Sequence, residues 1–331
     1  MYAMVLRRPR AASAEPLRRE ERPDPRPGPG RVVVRVEACA VCRTDLQLVE
    51  GDLRAHRLPV VPGHQVVGRI ETVGEGVDPG WVGQRVGAYW LADACGACHR
   101  CREGRENLCA AARFTGWDVD GGYAQLMEAD PRFLVRLPTD VAAPAIAPLL
   151  CAGIIGYRSL RVSTIAPGER LGLFGFGASA RSALQVARHN GCRVFVCTRG
   201  AEDRRRAREL GAEWVGGFAE RPPEPLDAAI TFAPVGEAIV HALTAVDRGG
   251  TVAVNAIHLD RVPEFPYRLL WHERSLRSVA NVTRADAHEF LERAFAIPIG
   301  TDHHEYPLND ANRALADLAA GRVRGSAVLV P

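Results

Sequence analysis

The sequence predicts an α/β protein of two domains, one rich in β-strands and one built on a doubly wound parallel sheet. Three observations carry that prediction. The chain has 331 residues, more than one ordinary core accommodates. Roughly its first 140 residues are punctuated by Gly and Pro between short β-branched runs such as RVVVRVEA and VVGRIETVG. From about Val141 onward, apolar strands alternate with amphipathic helices.

The elements follow in order. The early runs read as short strands joined by turns. RLGLFGF then leads into ASARSALQVARHNG, and RVFVCT into AEDRRRARELGA. Further apolar runs stand at LDAAITF and GTVAVNA. Such alternation implies parallel strands with crossover helices. After Ile297 a turn, a helix and a final strand complete the chain. There is no internal repeat, and the one biased segment is RPDPRPGPG.

Composition excludes several function classes. Arg alone supplies the 42 basic residues, against 39 acidic ones, for a net charge of +3. That balance gives no electrostatic case for nucleic acid or an anionic membrane. Met1 to Arg10 lacks the apolar core and small-residue cleavage site of a signal peptide. No apolar run is expected to reach the roughly 20 residues that span a bilayer. The expected location is the cytoplasm, where nine cysteines imply metal ligation or buried thiols rather than disulfides.

Three constellations carry chemistry. Cys95, Cys98, Cys101 and Cys109 lie in CGACHRCREGRENLC. Four thiolates, the first three separated by two-residue gaps, suit a closed tetrahedral structural zinc site. The nearby Arg100, Arg102 and Arg105 are offset by Glu103 and Glu106, which disfavours a nucleic-acid zinc ribbon.

The second is the turn LFGFGASA between an apolar strand and an amphipathic helix. Gly175 allows the tight turn, Gly177 a close approach of backbone to a pyrophosphate, and Ala180 close helix–strand packing. The next strand ends in Thr198 and Arg199 rather than an acid. Without a carboxylate for the adenosine ribose, NADP is favoured over NAD.

The third is His64 in VPGHQVVGRI, with Cys42 in ACAVCRTDL and Cys151 in PLLCAGIIGY. Two cysteines and a histidine would leave one zinc position open, as a catalytic site requires. Spacing alone does not bring the three together. Cys39, Cys192 and Cys197 read as ordinary buried thiols.

In chain order, CRTDL, PGHQVVGRI with VGEGV, the four-cysteine loop, DGGYAQ, PLLCAGIIGY and GFGASA resemble the zinc-dependent medium-chain alcohol dehydrogenases over nearly the whole chain. The resemblance implies a GroES-like catalytic domain from residues 1–140 and 298–331 and a Rossmann domain from 141–297. It implies a catalytic zinc on Cys42, His64 and Cys151, the ligand set known for alcohol dehydrogenases. It also implies a structural zinc on the four-cysteine loop, and hydride transfer between a nicotinamide and an alcohol or aldehyde. Asp45 matches the acid that holds the ligand His, and Thr44 the hydroxyl that bonds substrate oxygen and starts the proton relay. Arg43 matches a cofactor-phosphate contact, and Trp90 an aromatic residue that narrows the substrate pocket. A homodimer or homotetramer is expected, with GTVAVNAIHL as a region of subunit contact.

Four positions depart from the family pattern. Gln65 replaces the Glu beside the ligand His, a residue that can approach zinc during ligand exchange. Ser326 stands where many members carry an Arg facing that Glu, and losing both avoids one unpaired buried charge. Gln47 replaces the relay's terminal His and cannot pass a proton near neutral pH. Ile155 replaces a Thr or similar residue near the nicotinamide. His56 reads as a surface-loop histidine or a substitute relay base. These departures motivate the rival reading, a catalytically degraded relative that binds cofactor as a sensor or partner protein. A zinc-free quinone reductase on the same fold would lack both cysteine sets.

Overall fold

The computed structural model describes residues 1–256, 259, 261–297 and 299–331. The chain forms two compact units, one from Met1–Cys151, Val282–Glu289 and Gly300–Pro331, the other from Ala152–Asn281 and Phe290–Ile299.

The first unit opens with an antiparallel ribbon of β1 (Tyr2–Leu6) and β2 (Leu17–Glu21). Next comes β3 (Val32–Ala40), whose β-branched run is buried except at Arg35 and Glu37. Helix α1 (Arg43–Glu50) follows, then β4 (Gln65–Val73) and β5 (Arg85–Ala88). A side lobe holds β6 (Leu91–Asp93), the single-turn α2 (His99–Arg102) and β7 (Arg113–Phe114). β8 (Leu126–Ala129), β9 (Leu134–Arg136) and the short α3 (Ala143–Ile146) complete this part.

The second unit begins with α4 (Ala152–Ser163) and β10 (Arg170–Phe174). α5 (Ala178–His189), β11 (Arg193–Cys197), α6 (Ala201–Glu209) and β12 (Trp214–Gly216) come next. β13 (Leu226–Thr231), α7 (Gly236–Ala245), β14 (Val246–Val254) and β15 (Ser275–Ser278) build the other half. Its six strands run in the order β12-β11-β10-β13-β14-β15, every pairing parallel. The order reverses between β10 and β13, the switch point at which open α/β sheets bind ligands. After α8 (Arg284–Ala296), the chain returns to the first unit with β16 (His303–Pro307), α9 (Ala311–Ala319) and β17 (Ser326–Val330). There β16 and β17 join the sheet β16-β17-β3-β4-β5-β9, with β8 also on β3.

The units divide the chain at 151/152, whereas the change from strand to helix patterning predicts 140/141. The physical reason is packing. Buried Arg85 donates to the carbonyls of Pro138 and Val141 at 2.8 and 2.6 Å, and α3 packs on β3 and β4. Residues 282–289 also belong to the first unit, because Arg284 Nε donates to buried Glu106 at 2.7 Å. Pro298, the expected second boundary, lies outside the described residues. So do Ile257 and His258 of GTVAVNAIHL, while Gly250–Val254 lies in β14, beside β15 rather than at the sheet edge. Against expectation, one helical stretch, Ala143–Ser163, has the length and apolarity to cross a bilayer. It is broken by a 3-10 turn at Ala147–Leu150, and its Ile146, Leu150 and Ile154 are fully buried.

Candidate active site and metal centres

Two backbone devices deliver the residues of the first cluster. Cys42 ends the approach from β3 in an extended conformation and caps α1. Asp45, three residues on, reaches back to accept the Cys42 N–H at 2.8 Å, which closes a capping box. Gly63 turns the chain into β4 at φ +98°, and a Cβ there would meet Tyr123 at 2.3 Å and Cys39 Sγ at 2.8 Å. Only glycine fits that turn, and it sets His64 against Asp45.

Cys42, His64 and Cys151 converge, with their ligand atoms all within 4.8 Å of one another. The two sulfurs are 4.0 Å apart. His64 Nδ1 lies 3.1 Å from Asp45 Oδ1, while Nε2 is buried and has no hydrogen-bond partner among the described residues. A buried unpaired imidazole nitrogen costs free energy, so this atom is aimed at a partner of another kind. Bonds of about 2.0–2.3 Å to one zinc ion put tetrahedral ligands about 3.5 Å apart, and the cluster is close to that. Two thiols and one imidazole are also the donor types zinc takes.

The electrostatics agree. A hydrogen bond from Cys151 pulls the Cys42 thiol well down despite burial. The same bond, and then burial, push Cys151 well up. Burial opposes the His64 imidazolium, but Asp45 and Cys42 outweigh it and lift the group to about 10. Cys42 is thus the thiol of the cluster that most readily becomes a thiolate, the form in which cysteine binds metal.

Thr44 is buried, with Oγ1 3.7 Å from Cys42 Sγ. Trp90 meets the His64 ring edge-on, with centroids 4.8 Å apart. Arg43 is exposed and Gln47 half-buried on α1. Gln65 is buried, and its Nε2 donates to the Ala40 carbonyl at 3.2 Å. That partner is a backbone group rather than a charge, so nothing contradicts the joint loss of the acid and its Arg at Ser326. His56 lies exposed in a surface loop, as one of its two readings expects, and it has partners there. Its ring stacks on Trp117 at 3.8 Å, and its Nδ1 lies 2.6 Å from Asp118 Oδ1.

The second cluster brings together Cys95, Cys98, Cys101 and Cys109. Cys109 Sγ is 3.5 Å from Cys95 Sγ, and Cys98 Sγ 3.6 Å from Cys101 Sγ. The Ala97 and Cys98 backbone N–H groups help bring Cys95 down to about 6. Burial, then the hydrogen bond with Cys98, pushes Cys101 up to about 12. His99 begins α2 and is not part of the group.

In the second unit, Gly175 adopts φ +96°, and a Cβ there would approach Ala233 N to 2.7 Å. Gly177 caps α5 with open space where a Cβ would stand, and Ala180 is fully buried. The N-terminus of α5 therefore offers accessible backbone N–H groups. Thr198 is buried at the end of β11, and exposed Arg199 lies over the Phe218 ring. Arg204 Nε donates to the Thr198 carbonyl at 2.9 Å. Ile155 is half-buried in α4.

Sequence reasoning missed Tyr123, whose ring packs against Gly63 and whose hydroxyl is buried without a hydrogen-bond partner among the described residues. It also missed the contact between Trp117 and His56. DGGYAQ and two aromatics three residues apart, Phe114 and Trp117 in RFTGW, were the available signals.

Residues 28–139 match the alcohol dehydrogenase GroES-like domain. That domain and a six-stranded parallel sheet are the two parts the resemblance implies. The chain is 49% identical to a probable alcohol dehydrogenase of Mycobacterium tuberculosis, spanning 100% of this chain and 97% of that one. It is 33% identical to an alcohol dehydrogenase of Geobacillus stearothermophilus over 91% of each. A cobalt- and zinc-bound thermostable alcohol dehydrogenase from Pyrobaculum aerophilum superposes with a TM-score of 0.90 at 25% identity, covering 100% of this chain and 99% of that one. The chain belongs to the zinc-type medium-chain alcohol dehydrogenase family.

Proposed function

We propose that this chain is a zinc-dependent alcohol dehydrogenase and aldehyde reductase, moving hydride between NAD(P) and a primary or secondary alcohol–carbonyl pair, with NADP preferred. The observation that carries the reading is the orphaned, buried Nε2 of His64 beside two thiols. Cys42, His64 and Cys151 would hold a catalytic zinc, and Cys95, Cys98, Cys101 and Cys109 a structural one. Zinc, when bound, supplies Lewis acidity that favours loss of the alcohol's proton and polarises the carbonyl in reverse.

The chain's own residues do the rest. Asp45 accepts from Nδ1, which keeps Nε2 free as a donor and holds the ring's orientation. The Thr44 hydroxyl bonds the substrate oxygen and takes or returns its proton. Trp90 borders the substrate's carbon skeleton. Arg43 contacts a cofactor phosphate, and Gly175, Gly177 and Ala180 admit the pyrophosphate to the N-terminus of α5. Thr198 and Arg199 accept the 2′-phosphate of NADP. Nine free thiols, six of them in the two clusters, support work in the cytoplasm. Exposed Tyr267 and Trp271, shortly before edge strand β15, support a homodimer or homotetramer.

Steady-state kinetics with both cofactors across aliphatic and aromatic alcohols, with metal analysis, test the reading. The expected result is two zinc equivalents per chain, one for each cluster, and turnover favouring NADP. Arg199→Ala should raise KM for NADP at least about tenfold, the worth of a charge-assisted phosphate bond, and leave NAD within about twofold. One zinc and no turnover with any alcohol would instead favour a cofactor-binding sensor.

Gln47 predicts a second result. The wild-type pH–rate profile should lack a relay step near neutrality, and Gln47→His should introduce one at about pH 6.5. Superimposable profiles would remove Gln47 from the proton path.

A further inference from the structure

Three backbone hydrogen bonds zip residues 121–123 onto the turn that delivers His64. Gly121 N donates to the Val61 carbonyl at 2.8 Å, Gly122 N to Gly63 at 2.9 Å and Tyr123 N to Pro62 at 3.0 Å. The two segments leave no room for side chains between them, since a Cβ at Gly121 would meet the Gly63 carbonyl oxygen at 2.0 Å. Tyr123 is thus fixed by its backbone, fully buried, with its ring against Gly63. Gly63 N also donates to Asp45 Oδ1 at 3.3 Å, so Asp45 and Tyr123 adjoin the same residue. Burial, then the charges of Asp45, Cys39 and Cys42, push the Tyr123 phenol well up, and hydrogen bonding to Asp45 adds least. That last contact is incomplete, because no acceptor among the described residues meets full hydrogen-bond geometry at this hydroxyl.

We propose that Tyr123 is a positioning residue of the metal centre, whose hydroxyl steadies the Asp45 carboxylate and, through it, the His64 imidazole. The proposal rests on the reading of Cys42, His64 and Cys151 as a zinc site. A buried hydroxyl short of a full partner costs stability, and phenylalanine would fill the same space without that cost. Such breaches of local rules gather at functional sites. Here the hydroxyl sits where it can do work. Asp45 already accepts from Cys42 N, Gly63 N and His64 Nδ1. The Tyr123 dipole adds a further donor toward the same carboxylate, and it adds no charge beside the two thiols. A carboxylate held in one orientation keeps the Nδ1 proton in place and Nε2 free for metal.

The test is Tyr123→Phe, which keeps the ring against Gly63 and removes only the hydroxyl. The zinc-loaded full-length protein is exchanged with cobalt(II), whose absorption differs between a two-sulfur, one-nitrogen site and a four-sulfur site. A chelator is then titrated in while both bands are followed. Cobalt should be held about 3–10-fold less tightly at Cys42, His64 and Cys151, below the 10–100-fold of a direct partner to a ligand, because Tyr123 acts one residue further out. The four-cysteine band should titrate as in the wild type. A role confined to packing predicts no change at either site, since phenylalanine keeps the ring. Unchanged or tighter binding at the first site overturns the proposal and leaves the zinc reading standing. Equal weakening at both sites marks a general loss of packing and overturns it as well. A wild-type protein that takes up cobalt at the four cysteines alone overturns both.

Discussion

Cys151→Ala is expected to lower kcat/KM at least about 1,000-fold, because the metal's share of transition-state stabilisation is several kcal/mol and each 1.4 kcal/mol is tenfold. Metal content should fall from two equivalents per chain to one, matching the two clusters. The fold should survive. Cys151 is a small side chain at the end of a 3-10 turn, and losing one sulfur from the interior costs about 1 kcal/mol. Two remaining donors do not hold zinc against competing water and buffer. Elemental analysis, circular dichroism and steady-state kinetics on one preparation separate these effects. A variant that kept both metals and full turnover would remove Cys151 from the site. A variant that lost both would mean that the two clusters stabilise each other, which their separate positions in the first unit do not suggest.

The legibility of this site in the sequence was uneven, for physical reasons. The convergence of the four cysteines could be read directly, because they are close in sequence and their gaps match zinc-ligand spacing. The β10–α5 turn could be read for the same reason, since strand, glycines and helix are adjacent. Cys42, His64 and Cys151 could not be joined by spacing, because 109 residues separate the two sulfurs, and only resemblance to a family joined them. The compact units divide the chain about ten residues later than the patterning, because patterning reports helix or strand, not which core an element packs on. α3 is helical and follows the β-rich stretch, yet it packs on β3 and β4. His56 shows a related limit. A polar residue in a loop reads as surface, and nothing local reveals that Trp117, 61 positions later, stacks on it. Gln65 was recognised as a departure, but its partner depends on the register that sets it opposite Ala40.

Asp45→Ala should damage stability and metal binding together, because one buried carboxylate serves both. It accepts from Cys42 N at 2.8 Å, Gly63 N at 3.3 Å and His64 Nδ1 at 3.1 Å, and it is 2% exposed. Removing it leaves donors at the start of α1 and in the Gly63 turn without their acceptor. Bonds to a charged acceptor contribute about 1.5–3 kcal/mol each, and water entering the vacated space recovers part of that, so the expected loss is about 2–4 kcal/mol. Metal affinity should fall about 10–100-fold, since His64 loses the group that fixes its tautomer and raises its basicity. Asp45→Asn separates the two roles. The amide oxygen can still accept from Cys42 N, so stability should recover by at least half, while its neutral charge leaves His64 less basic and metal affinity only partly restored. Thermal unfolding reads the first effect and competition with a chelator the second. If Asp45→Asn regained both in full, hydrogen-bond geometry alone would account for Asp45. If chelator competition were the same in all three proteins, Asp45 would be a helix cap that merely lies beside His64, and the second-sphere role would fall while the capping box remained.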